Sequence, residues 1–113
     1  MMVKRTIKYR MSRADYFDVI EMARYGVKDW CEEMSWTQTS SGCWFTDYKG
    51  EKFWVTKTKM EEALLDLLEG AEIYNDWYKV IGEMVFKADW CDFDADIANQ
   101  VIQQACYGEV IYG

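Results

Sequence analysis

The chain has 113 residues, of which 50% are hydrophobic and 17% aromatic, so it carries enough apolar material for one folded domain and is not a disordered acidic tail. Its formal net charge is −7, and the acids are concentrated late: residues 1–60 carry 11 Lys or Arg against 8 Asp or Glu, whereas residues 61–113 carry 2 against 12. Neither an apolar signal region nor a run of eighteen apolar residues is present, so we expect a cytoplasmic protein that makes no membrane contact.

The N-terminal third predicts a strand followed by helices. Residues 3–11 alternate between apolar and basic side chains, which is typical of a half-buried strand with a solvated basic face. Ser12 begins a capping box for a helix from Arg13 to about Tyr25, and Gly26 is expected to end that helix in a left-handed conformation. Residues 27–36 keep apolar residues at helical spacing, so a second short helix is predicted there.

The middle of the chain predicts a loop and then a hairpin. Residues 37–42 (TQTSSG) are polar and turn-rich, and the runs CWFTDY and EKFWVT follow on either side of Lys49-Gly50. Aromatic side chains alternate onto both faces of this hairpin. Either both faces are covered by the fold, or one face presents Trp44 and Trp54 to a partner protein.

The clearest amphipathic helix follows the hairpin. Thr58 is expected to cap it, the apolar stripe runs from Met60 to Leu68, and Gly70 ends it. Its opposite face carries four acids that we select as candidate partner-binding residues: Glu61, Glu62, Asp66 and Glu69. Carboxylates three or four residues apart on a helix lie close enough to engage a basic groove, although an ordinary solvated helix face has the same pattern.

Three elements are expected in the remaining residues. Residues 72–87 fit either a helix or, because of Gly82, a strand. Asp94 is expected to cap a helix that Gly108 ends, and residues 109–112 are expected to form a short last strand. The motif VI-x-x-A-x-Y-G occurs at 19–26 and again at 101–108, which indicates either two helices docking alike or a duplication.

These elements predict a single α+β domain spanning residues 1–113. A small, mostly antiparallel sheet would contain the N-terminal strand and the central hairpin, with the C-terminal strand as a further candidate member. Three to four helices would pack on this sheet.

The acids near the start of the last helix resemble a calcium site only in part. Asp92, Asp94 and Asp96 match the first half of an EF-hand loop, but Ile97 stands where that loop needs Gly and Gln103 where it needs a bidentate Glu. Helix capping explains the same acids without a metal. We therefore predict no metal site and no cofactor.

Catalytic residues are not predicted either. The chain has no His to complete a zinc site or to activate a nucleophile, and its isolated glycines form no phosphate-binding loop. The four cysteines, which lie in no C-x-x-C pair, are expected to be reduced and mostly buried: Cys31, Cys43, Cys91 and Cys106. The basic N-terminal strand is a weak footprint for nucleic acid in a protein of net charge −7, so direct nucleic-acid binding is not expected.

The last twenty-one residues carry a resemblance. FDADIANQVIQQACYGEVIYG (93–113) resembles, without a gap, the C-terminal segment of a family of small acidic proteins from phages and prophages of Firmicutes, which reads I-D-A-x-x-A-D-x-I-I-Q-x-A-L-F-G-E-I-V-F/Y-G. Gly26-x-x-x-Trp30-Cys31 is similar to another passage of that family, so the resemblance covers about a third of the chain. This chain departs from the pattern at Asn99, where the family has Asp, and at Cys106-Tyr107, where it has Leu-Phe.

The resemblance implies a context rather than a set of site residues. Small acidic accessory proteins of phages often inhibit host defence by binding a nuclease or another effector, and anti-CRISPR proteins are the best-known class. We therefore expect a non-enzymatic inhibitor in the bacterial cytosol that binds a host protein such as a Cas nuclease, with acids that imitate nucleic acid. The alternatives are a phage regulatory or housekeeping module that acts as a homodimer, and a small enzyme or metal-binding protein.

Overall fold

A computed structural model describes residues 8–37, 39–69, 77–90 and 92–112. It confirms the α+β class, with four helices and one three-stranded antiparallel sheet in the described part of the chain. The elements are, in order, α1 (Arg13–Gly26), β1 (Cys31–Ser35), β2 (Gly42–Asp47), β3 (Lys52–Thr56), α2 (Lys57–Glu69), α3 (Trp77–Lys87) and α4 (Ala95–Tyr107). No helix in the described ranges is long and apolar enough to cross a bilayer.

Helix α1 forms as predicted, but Gly26 serves another purpose than the one expected. The Ser12 hydroxyl accepts a hydrogen bond from the Asp15 amide at 3.0 Å, which caps the N-terminus. Gly26 is the last helical residue and has no positive φ. A Cβ at this position would overlap the carbonyl of Ala95, so glycine is needed for the close approach of α1 to α4.

The helix predicted over residues 27–36 is wrong. The Cys31 amide donates to the Val27 carbonyl at 2.8 Å, which closes a single turn, and β1 then pairs antiparallel with β2. The spacing of apolar residues fits one turn followed by a strand as well as it fits a helix. The neighbouring hairpin decides the outcome, because β1 can pair with the edge of β2, whereas a helix of about ten residues is only marginally stable by itself.

The hairpin of β2 and β3 is confirmed, and it gives the sheet one inner and one outer face. Cys43 and Phe45 point into the core, while Trp44 faces outward. At the turn, Gly50 adopts a left-handed φ of 84°. The Asp47 carboxylate accepts from the amides of Lys49 and Glu51 through one oxygen and from the Tyr107 hydroxyl at 2.8 Å through the other, so it joins the turn to α4.

Helix α2 follows β3 without a loop, so its start differs from the prediction. Its cap is Thr56, whose hydroxyl accepts from the Lys59 amide at 3.2 Å, and not Thr58. The predicted apolar stripe is buried, with Met60, Ala63 and Leu64 at most 2% exposed. Because β3 leads directly into α2, the cap lies two residues earlier than predicted.

The open alternative for residues 72–87 is resolved as helix over its described part, α3 (Trp77–Lys87). Helix α3 is followed by Ala88, which takes a left-handed φ of 52° while its amide donates to the Met84 carbonyl. Helix α4 is capped as predicted, since Asp94 accepts from the Ile97 amide at 3.0 Å and Gly108 has a φ of 73°.

The two terminal strands are not formed in the described residues. Residues 3–7 lie outside them, and residues 8–11 pair with no strand; there, the Met11 amide donates to the Glu61 carboxylate. Residues 109–112 run alongside α4 without a ladder, because the Gln103 side chain takes the place of a neighbouring strand. Its amide oxygen accepts from Ile111 and Tyr112, and its amide nitrogen donates to the Tyr112 carbonyl at 3.0 Å.

One aromatic residue forms the centre of the core beneath the sheet. Trp30 is 2% exposed, and its ring lies between those of Phe45 and Tyr112, with centroids 6.4 and 6.3 Å away. Its indole nitrogen donates to Asn99 at 2.6 Å, and Asn99 also accepts from Gln103. The core, α4 and the C-terminal residues are thus joined through one polar chain.

Candidate protein-binding surfaces

Trp44 and Trp54 lie opposite each other on the outer face of the sheet, so the structure favours the second of the two alternatives for the hairpin. Their ring centroids are 4.9 Å apart, with an angle of 47° between the planes. Trp44 is 44% exposed and Trp54 is half-buried. A Cβ on Gly42 would lie 2.9 Å from the Trp54 ring, so only a glycine leaves room for that ring to pack against the strand. The pair therefore packs against the sheet through Trp54 and is exposed to solvent through Trp44.

Lys59 connects this aromatic pair to helix α2. Its ammonium group donates to the Trp54 carbonyl at 2.8 Å. The same side chain helps to line a shallow cavity of about 210 Å³ between α2 and α4, where two of the predicted acids, Glu62 and Asp66, also lie. Lys59 thus contacts the backbone of Trp54 and also lines the cavity that holds these two acids.

Glu61, the first of the four predicted acids on α2, is buried and does not lie on the surface with the other three. Glu61 is 8% exposed, and its carboxylate accepts from the Met11 amide at 2.7 Å and from the Lys57 ammonium at 3.4 Å. It is therefore an internal anchor for the N-terminal segment. Its helical position is adjacent to the acidic face, but segment 8–11 packs over it, which the local pattern does not reveal.

The remaining α2 acids form a row whose charge spacing is comparable to that of one nucleic-acid strand. With a helical rise of 1.5 Å per residue, Glu62, Asp66 and Glu69 span about 10 Å, which is one carboxylate per about 5 Å of axis. A DNA strand carries one phosphate per about 3.4 Å. Glu69 lies about two turns beyond Glu62, so the row leads away from the aromatic pair along the helix. We call these three acids together with Trp44 and Trp54 of the sheet the α2 surface.

A second groove, which the sequence analysis did not identify, lies between α1 and the connection of α3 to α4. It has a volume of about 390 Å³, and the described residues that line it are Asp15, Asp18, Glu21, Met22, Trp90 and Phe93. The acids at intervals of three residues in α1 are visible in the sequence. Their aromatic neighbours come from about 70 positions later, so only the tertiary structure brings the two sets together.

The acids of the partial EF-hand pattern behave as capping residues. Asp94 caps α4, Asp96 lies in its first turn, and both are exposed. In the described part of the chain, no group of three or more carboxylates and thiols is arranged to hold a metal ion.

The described thiols are free, and their environment opposes ionisation. Burial raises the pKa of Cys31 and of Cys106, and it raises the pKa of Cys43 to about 12. A nucleophilic cysteine needs the opposite shift, because the thiolate is the reactive form. Cys91 lies outside the described residues.

No protein-family model, curated protein or solved structure matches this chain.

Proposed function

We propose that this chain is a phage accessory protein that inhibits a host defence effector, in the manner of an anti-CRISPR protein, by binding it directly. The observation that supports this proposal is the link through Lys59, which donates to the carbonyl of Trp54 in the exposed aromatic pair and lines one cavity with Glu62 and Asp66. The effector's basic nucleic-acid groove is the surface that this arrangement fits. Binding there would exclude the effector's own nucleic acid.

The two halves of the α2 surface contribute differently to such binding. Exposed tryptophans are frequent centres of protein interfaces, and truncating one typically costs about 2 kcal/mol or more. The acids instead accelerate association with a positively charged groove and make the complex sensitive to salt. An inhibitor of this kind needs both contributions, since charge alone is screened at cellular ionic strength.

The proposal is tested by expressing the chain in Firmicutes hosts that each carry one defined CRISPR system and measuring the plating of a targeted phage. We expect plating to be restored in one of these hosts. The purified chain should then displace guide-directed DNA from that host's purified effector at low salt and less well at high salt. Trp44→Ala should weaken effector binding by roughly 30-fold, as the loss of a central interface tryptophan does.

Matched charge variants separate a specific surface from general acidity. Glu62→Gln, Asp66→Asn and Glu69→Gln together should abolish the salt-sensitive part of binding. Asp29→Asn, Glu32→Gln and Glu109→Gln remove the same charge from exposed acids on other elements and should leave binding intact. Equal losses in both triple variants, or failure to relieve any defence system, would refute the proposal.

The same aromatic pair supports one alternative, a regulatory module that pairs with a second copy of itself through Trp44 and Trp54. Light scattering after size-exclusion chromatography distinguishes the two functions. A dimer that Trp44→Ala converts to a monomer, in a chain that relieves no defence system, would favour the alternative.

A further inference from the structure

The groove between α1 and the α3–α4 connection has an apolar floor. Phe93 is 7% exposed, and its ring meets that of Trp90 edge to face, with centroids 5.0 Å apart. Trp90 and Met22 are only half-buried, so apolar surface remains accessible along the groove. Its volume of about 390 Å³ is in the range of sites for small ligands and suits a single long side chain better than a whole helix.

One rim of this groove carries three carboxylates from successive turns of α1. Asp15, Asp18 and Glu21 are spaced by three residues, or about 4.5 Å along the helix axis. Among the described residues that line the groove, none is cationic. Of the two arginines of α1, Arg13 donates to the Ser40 carbonyl at 2.9 Å. Arg24 pairs with Glu21 at 3.3 Å and stacks on Trp36, with 4.9 Å between the guanidinium carbon and the ring centroid.

We propose that this groove binds an arginine side chain that projects from a basic segment of a partner protein. An arginine has an apolar stem, which fits the floor of Met22 and Phe93, and a planar cation, which stacks on tryptophan and pairs with carboxylates. The carboxylates of the rim would face the guanidinium group, and the apolar floor would contact the stem. A wholly apolar ligand would bring no counter-charge to the carboxylates of the rim, and an anionic ligand would be repelled by them.

This groove is separate from the α2 surface, because the two have no lining residue in common. The inference goes beyond the proposed function and does not depend on it. A peptide titration tests the groove, whereas phage plating tests the inhibitor, so either proposal can fail while the other stands.

The probe is an acetylated and amidated Gly-Arg-Gly-Arg-Gly peptide, and its counterpart with citrulline in place of arginine is the neutral isostere. Binding to the ¹⁵N-labelled chain is followed by NMR, with the indole signal of Trp90 as the local reporter. We expect the arginine peptide to bind with a Kd on the order of 0.1–1 mM and to shift that signal. The citrulline peptide should bind at least about tenfold more weakly, because it keeps the shape and loses the charge.

Two double variants with the same change in net charge complete the test. Asp15→Asn with Asp18→Asn should weaken binding of the arginine peptide by about tenfold, whereas Glu62→Gln with Asp66→Asn should change it by less than about twofold. Urea unfolding of each variant confirms that it is folded. Equal weakening by both variants, equal binding of the citrulline peptide, or an unmoved Trp90 signal at saturation would each overturn the proposal.

Discussion

The side chain that replaces a strand partner for the C-terminal residues is a sensitive point of the fold. Gln103 is fully buried and makes four hydrogen bonds: two from the amides of Ile111 and Tyr112, one to the Tyr112 carbonyl and one to Asn99. Gln103→Met keeps the length and helix propensity of the side chain and removes every one of these bonds.

The cost follows from the number of bonds and from the freedom of the tail. Each intramolecular hydrogen bond contributes about 1 kcal/mol net, so the four lost bonds set a scale of about 4 kcal/mol. The tail can leave its site and find water for its amides, and the loss then includes the packing of Tyr112 on Trp30. We expect the free energy of unfolding to fall by about 2–4 kcal/mol, which lowers the urea midpoint by about 2 M at a typical slope for this size.

Urea unfolding and amide hydrogen exchange measure the two parts of this prediction. The amides of Ile111 and Tyr112 should lose their protection in Gln103→Met. Gln100→Met, at a half-buried position on the same helix, should leave both the urea midpoint and the protection nearly unchanged. An unchanged midpoint would contradict the reasoning, and so would a lowered midpoint with protection retained, because the tail would then be held by something other than Gln103.

Three further predictions concern close packing, ionisation and the hairpin turn. Gly26→Ala drives a Cβ into the backbone of α4 and should destabilise the protein by about 2 kcal/mol or more. In Gly82→Ala the new Cβ would meet one side-chain atom at 3.4 Å, so this substitution should stabilise the protein by up to about 1 kcal/mol. Thermal unfolding measures both changes. Because burial raises the pKa of Cys43 to about 12, its alkylation at pH 8, followed by peptide mass spectrometry, should be roughly a thousandfold slower in the folded than in the unfolded protein, and equal rates would contradict its burial. Burial alone would raise the pKa of Asp47, but hydrogen bonds from Tyr107 and from two backbone amides lower this pKa below its usual value. The ionised carboxylate therefore stabilises the fold at any pH above the usual pKa of an Asp, and this stabilisation is lost as the pH falls through the lowered pKa of Asp47. Tyr107→Phe should therefore lower the urea midpoint more at pH 7 than at pH 3, and an equal difference at both would refute the link.

Elements whose signals lie within a few residues were predictable from the sequence. The caps at Ser12 and Asp94 and the left-handed Gly108 mark helix ends by local hydrogen bonds, which depend on immediate neighbours. Alternation in the hairpin also separated Trp44 from Cys43 and Phe45, because successive side chains of a strand point to opposite faces. It left open whether the face with Trp44 is covered, and the structure shows that face outermost.

Features that depend on distant partners were not predictable. Residues 31–35 became a strand because β2 offered its edge, and Glu61 became buried because residues 8–11 cover it. The acid-rimmed groove combines α1 with Trp90 and Phe93, which no local pattern connects.

The sequence by itself determined the fold class, the main extent of α1, α2 and α4, and the hairpin, since propensity, caps and periodicity are properties of short segments. Only the tertiary structure decided which acids are exposed and which, like Glu61, are buried and hydrogen-bonded. It also decided that the Gln103 side chain, and not a neighbouring strand, binds the backbone of the C-terminal residues. The physical reason is that a buried polar group must find its partner wherever the fold brings one within hydrogen-bonding distance, and for Glu61 that partner lies 50 positions away in the chain.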